Sequence, residues 1–166
     1  MTSYQPEPET VATEYLATEE VTSELIDATT NTNHVEVVET VIASLQQDDS
    51  AMVSQTDGGY VWKFKYGSVE VFVQLTGQSD EDFFKVWSSV LKLPTKNDSG
   101  LMQRLLEMNW ADTFEACFGI VDNSVVVLSM RTVAELSPGE ISRLITVVAT
   151  IADDNDEALQ SEFGAA

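Results

Sequence analysis

Few residues of this chain have the types that carry chemistry. His34 is the only histidine and Cys117 the only cysteine. A Ser-His-Asp or Cys-His arrangement would have to be built on His34 alone, and base catalysis needs a partner that positions the ring. His34 opens a helical pattern beside a polar stretch, so a solvated helix-start residue is expected. A reactive thiolate needs positive charge or a helix N-terminus close by. Cys117 lies between Ala116 and Phe118 in a β-rich run. Free cysteine is among the most buried residue types, so a core thiol is expected.

Carboxylates are abundant: 28 Asp and Glu stand against 8 Lys and Arg. The densest groups are Asp80-Glu81-Asp82 and 153-DDNDE-157. The second resembles a calcium loop, but its sixth position is Ala158, where the tight turn needs Gly. Its twelfth is Gly164, where a bidentate Glu is needed. Both groups are expected to be solvated charge. No spacing singles out a carboxylate pair for acid–base work. Walker, GxSxG, CxxC and HExxH patterns are absent. No catalytic residue, cofactor-binding residue or metal ligand is therefore assigned, and no cofactor is expected.

The remaining chemistry is aromatic and basic, in 60-YVWKFKYGSVEVFVQL-75. Tyr60, Trp62, Phe64 and Tyr66 share one parity, and Val61, Lys63 and Lys65 the other. Gly67-Ser68 suits a two-residue hairpin loop. That loop pairs Tyr66 with Val69, Phe64 with Val71, Trp62 with Val73 and Tyr60 with Leu75. Each pair sets a ring against an aliphatic chain, a favourable cross-strand combination. Lys65 meets Glu70 on the opposite face. A base-stacking platform needs rings and cations together. Here alternation separates them, so core packing is expected and nucleic acid is not.

These side chains need elements to hold them. Val35, Val38, Val41, Ile42 and Leu45 recur at helical spacing and predict a first helix over 34–47. After the hairpin, 83-FFKVWSSVLKL-93 reads as a third strand, apolar on both parities and stopped by Pro94. Residues 98–110 predict a helix capped by Asp98 or Ser99, with Met102, Leu105, Leu106 and Trp110 on its inner stripe. Residues 114–132 read as a second hairpin around Asp122-Asn123-Ser124, with a loop of two or three residues. The last helix starts at 137-SPGE-140, where Ser137 can cap, Pro138 suits the first turn and Glu140 can close a capping box. Ile141, Leu144, Ile145, Val148 and Ile151 run along its inner face to about Asp153. The order is α-β-β-β-α-β-β-α: an α+β fold with a mostly antiparallel five-stranded sheet.

The 166 residues suit one domain plus a tail, and 43% hydrophobic content suffices for a core. Residues 1–33 hold seven acids from Glu7 to Asp27 and no Lys or Arg. They are expected to form a disordered acidic tail. The α+β domain is placed at 34–155 and a flexible end at 156–166. A formal net charge of −20 repels phosphate backbones and anionic lipid. The single cysteine, the absence of a leader pattern and the shortness of every apolar run point to the cytoplasm.

The stretches YVWKFKYGSVEVFVQL, FFKVWSSVLKLP, LMQRLLEMNW, ACFGIVDNSVVVLSMRT and ELSPGEISRLI together resemble the YbjN family, in its cyanobacterial-type members. The element order is similar to that of type III secretion chaperones. The resemblance spans most of 34–152. It implies a secretion-chaperone-like fold, no known enzymatic activity, and a role in regulation or protein–protein contact.

The expected function is a non-enzymatic, chaperone-like adaptor that recognises a segment of a partner protein. A regulatory domain binding a small ligand or metal ion is the alternative, and an enzyme with unrecognised carboxylate chemistry a third reading. The sheet face away from the helices is the expected contact surface, with Val61, Lys63, Phe72, Phe84 and Val86 as partner-binding residues. A protein with a basic segment, drawn by the acidic field, and a second copy of the chain are the expected partners.

Overall fold

The computed structural model describes residues 33–165. The acidic tail expected over 1–33 lies outside them, Asn33 apart. The elements are α1 (His34–Leu45), β1 (Met52–Thr56), β2 (Gly59–Tyr66), β3 (Val69–Leu75), β4 (Phe83–Lys92), α2 (Asp98–Ala111), β5 (Cys117–Val121), β6 (Ser124–Thr132) and α3 (Pro138–Phe163). One antiparallel sheet runs β1-β2-β3-β4-β6-β5.

The first hairpin has the register its sequence dictates, from Tyr60 opposite Leu75 to Tyr66 opposite Val69. Gly67, the first of the two loop positions, has φ +52°. A left-handed first position is what a two-residue Gly-X loop demands. Helix α3 clasps the tip: Asp153 accepts from Ser68 N–H at 2.7 Å and, with Asp156, from the Ser68 hydroxyl. Asp156 is 5% exposed. These carboxylates therefore dock the hairpin and are not merely solvated. The second hairpin closes with a two-residue loop, Val121 facing Ser124, and both Asp122 and Asn123 take positive φ.

The sheet has six strands, not five. Strand β1 was hidden because all five of its residues are exposed, so no alternation marks it. It pairs with β2 across Asp57-Gly58, a turn closed by left-handed Gly59. The expected cap of α2 also moves. Asn97 accepts from Gly100 N–H, while Asp98 accepts from Thr95.

Helix α3 packs on β3, β4 and β6, and α1 on α3 and β2. Between the helices and the sheet lies the core, with Val38, Ile42, Phe64, Val71, Val73, Phe84, Val86, Ile141, Ile145 and Val148 all 2% exposed or less. The capping box of Ser137 and Glu140 starts α3, with Pro138 in its first turn. The helix continues to Phe163 because Leu159 and Phe163 extend its buried stripe. The flexible end expected from 156 is therefore helical through 163. His34 is half-buried, its Nε2 2.9 Å from the Leu136 carbonyl, and ties the start of α1 to the β6–α3 connection. It is not a solvated residue.

The two sheet edges differ. Asn109 of α2 accepts from Phe118 N–H at 2.7 Å and donates to its carbonyl at 3.3 Å, so β5 is shielded. Strand β1 leaves its outer edge unpaired among the described residues.

Three carboxylates are held below their ordinary range by donors in turns. The Ser79 hydroxyl and N–H act on Asp82, the Thr95 hydroxyl and N–H on Asp98, and the Ser137 N–H and hydroxyl, aided by Arg131, on Glu140. A depressed folded pKa means the unfolded chain binds protons first. The stabilisation is thus complete above the ordinary values of 3.8 and 4.5 and is lost as pH falls through them toward the folded values. Urea midpoints measured from neutral pH downward are expected to hold and then decline below about pH 4.5. Glu140→Gln is expected to flatten part of that decline.

Candidate functional site

Pairing fixes which side chains share the face that the helices leave open. One row crosses the whole sheet: Met52, Lys63, Phe72, Trp87, Leu128 and Cys117. Beside it run Ser54, Val61, Gln74, Lys85 and Met130. Phe72 and Trp87, on neighbouring strands, stack with centroids 5.3 Å apart and planes 12° apart. Each ring carries an ammonium: Lys63 Nζ lies 5.7 Å from the Phe72 centroid and Lys85 Nζ 5.3 Å from that of Trp87. Both rings are half-buried, so each keeps area for another molecule.

Of the partner-binding residues expected from the sequence, the structure brings Val61, Lys63 and Phe72 together on this face. It does not bring Phe84 and Val86 there. Phe84 pairs with Leu75 and Val86 with Val73, which turns both into the helix-covered core at 0% exposure. The outward parity of β4 is the other one, Phe83, Lys85 and Trp87. A signal for it existed: a lysine inside a strand of a half-covered sheet marks the solvated parity, and Lys85 shares parity with Trp87. Cys117 is corrected in the same way. It is exposed at the end of the row, not a core thiol. The separation of rings from cations expected from the first hairpin holds for Trp62 and Phe64, which are 2% and 1% exposed. It fails on the opposite face: Phe72 shares the hairpin's outward parity with Lys63, and Trp87 is brought beside it by β4, a strand the hairpin pattern does not orient.

The family follows from the matched region. The family model described as "Putative bacterial sensory transduction regulator", YbjN, matches residues 34–161. The chain belongs to the YbjN family. No curated relative matches this YbjN protein. Its folded part is similar to a chain of the crystal structure of the ExsC–ExsE complex, with 14% identity and a TM-score of 0.53 over 75% of this chain and 91% of that one. At that identity the likeness shows the fold alone: a secretion-chaperone-like α+β architecture.

A second exposed region of the YbjN chain lies on α2. Half of the inner stripe expected there holds, with Leu105 buried and Met102 packed against the core, and half does not. Leu101, Leu105 and Met108 are buried, whereas Leu106 is 69% and Trp110 93% exposed. The helix is amphipathic only weakly, so its periodicity could not say which stripe faced in. Phe114, just beyond it, is 88% exposed. Among the described residues no group of three or more His, Cys, Asp or Glu could hold a metal ion, and no helix is long and apolar enough to cross a membrane.

Proposed function

We propose that this YbjN protein is a non-enzymatic adaptor that holds a segment of a partner protein across its open sheet face. The observation that carries this reading is the stacked Phe72–Trp87 pair, half-exposed and flanked by Lys63 and Lys85 on a face that no helix covers among the described residues. Val61 extends its apolar area. The secretion-chaperone-like fold and a family described in terms of sensory regulation support a task performed by protein contact. A cytoplasmic site suits the lone, exposed Cys117. A basic stretch elsewhere in the partner would answer to the acid-rich remainder of the surface.

Affinity capture from native extract tests the reading. Phe72→Ala with Trp87→Ala is expected to weaken capture of the specific partner at least about tenfold, since stacked rings at a contact centre dominate binding energy. The melting temperature should change little, because both rings lie outside the helix-covered core. Equal capture by wild type and double variant would remove the open face from the function.

The exposed α2 stripe fits a second copy of the chain. A two-fold interface needs one self-complementary patch, and Leu106 and Trp110, one turn apart on α2, supply its apolar area. Mass measurement in solution is expected to give a dimer, and Trp110→Glu with Leu106→Glu a monomer of unchanged helicity. A monomeric wild type at high protein concentration would refute this pairing.

A further inference from the structure

We propose that the segment seated on the open sheet face is acidic as well as apolar. This rests on the reading of that face as the docking surface, and names the chemistry of what docks. The chain has a net charge of −20 with only eight Lys and Arg. Four of those eight, Lys63, Lys65, Lys85 and Lys92, fall on this one face, as the strand pairing places them. Glu70 is the single acid among the strand residues of the same face. Of the four cations elsewhere, two are already engaged with acids: Arg131 pairs with Glu140 and Arg143 with Glu115, while Lys96 and Arg104 make no ion pair among the described residues. On the open face Lys63 pairs with Glu70 at 2.6 Å, while Lys65, Lys85 and Lys92 make no ion pair among the described residues. So the local sign is opposite to that of the molecule.

The arrangement sets a double demand on a ligand. An ammonium lying over a ring still has N–H donors directed away from it, and these suit a carboxylate. The exposed parts of Phe72 and Trp87 suit an apolar or aromatic side chain beside that carboxylate. In an extended segment both groups project to one side when they stand two residues apart. A nucleic acid offers rings and anions too, but it brings a charge with every nucleotide into the field of an acidic protein. A short segment with a few carboxylates meets far less repulsion.

The test uses the full chain and three fluorescent synthetic peptides of about eight residues, an extended length comparable to the width of this sheet. One alternates Glu and Phe on the same side, one has Lys in place of Glu, and one has Gln. A single-stranded oligonucleotide is the fourth probe. Cys117, the only thiol and a member of the central row, reports occupancy through its rate of modification. The acidic peptide is expected to bind at least about tenfold tighter than the lysine one, to weaken with salt and to slow Cys117 modification. Glu70→Gln, which frees Lys63, should tighten it several-fold. Lys63→Glu with Lys85→Glu should reverse the preference at unchanged melting temperature. Equal affinity for all three peptides would overturn the acidic assignment and leave the docking reading intact, since that is judged by the Phe72 and Trp87 capture experiment. Tighter binding of the oligonucleotide, a preference unmoved by the charge reversal, or no binding of any peptide would each overturn the proposal.

Discussion

Replacing Phe64 with alanine is expected to lower the unfolding free energy by about 3–5 kcal/mol, the range for truncating a large buried aromatic. Phe64 is 1% exposed and among the largest fully buried side chains of the molecule. It sits mid-strand in β2, opposite Val71 of β3, and belongs to the same core cluster as Ile42 of α1 and Ile145 of α3. Truncation leaves a void between a paired sheet and helices anchored by their own contacts, so collapse around it is limited. The loss is a large share of the stability of a domain this size. Urea unfolding should show a lower midpoint with an unchanged slope. Phe72→Ala, outside that core, provides the contrast and should cost much less. Equal losses at the two positions would contradict the assignment of faces on which the docking surface depends.

Gly59→Ala is expected to destabilise the protein by more than about 2 kcal/mol, because an L-residue there meets both strain and overlap. Gly59 has φ +95° where β2 leaves the Asp57-Gly58 turn. A Cβ at that position would overlap the Leu75 carbonyl oxygen and the backbone of Thr76. Those atoms belong to the end of β3 and cannot swing aside like a flexible side chain. Gly58→Ala is the control. Its Cβ would meet only Thr56 Oγ1, at an ordinary contact distance of 3.6 Å. That change should stay within about 0.5 kcal/mol. Partial unfolding of Gly59→Ala should begin at β1, the strand that this turn attaches to the sheet. A Gly59→Ala protein as stable as wild type would show that the turn is wrongly placed.

The first hairpin was legible because two periodicities agreed: alternation set the faces and Gly67-Ser68 set the register. The capping box at Ser137–Glu140 was legible because its bonds are local. Strand β1 was not, since an edge strand exposed on every side needs no apolar residues in alternation. The extent of α3 was missed because 153-DDNDE-157 looks like an ending. In the fold, Asp153 and Asp156 hold the Ser68 turn, and the buried stripe resumes at Leu159.

The candidate surface was half legible. Val61, Lys63 and Phe72 follow from the hairpin, whose faces are fixed by contacts near in sequence. Phe84 and Val86 were misassigned and Trp87 was missed because β4 is apolar on both parities. Which parity faces outward is set by its pairing with β3 and by where α3 packs.

By itself, then, the chain order of residues determined what depends on near neighbours: the α+β class, the hairpin registers or their narrow alternatives, the helix starts and the family resemblance. Only the assembled sheet decided which side of β4 and which stripe of α2 meet solvent. Those choices compare burial against distant elements, and a side chain apolar enough for either side carries no local mark of the outcome.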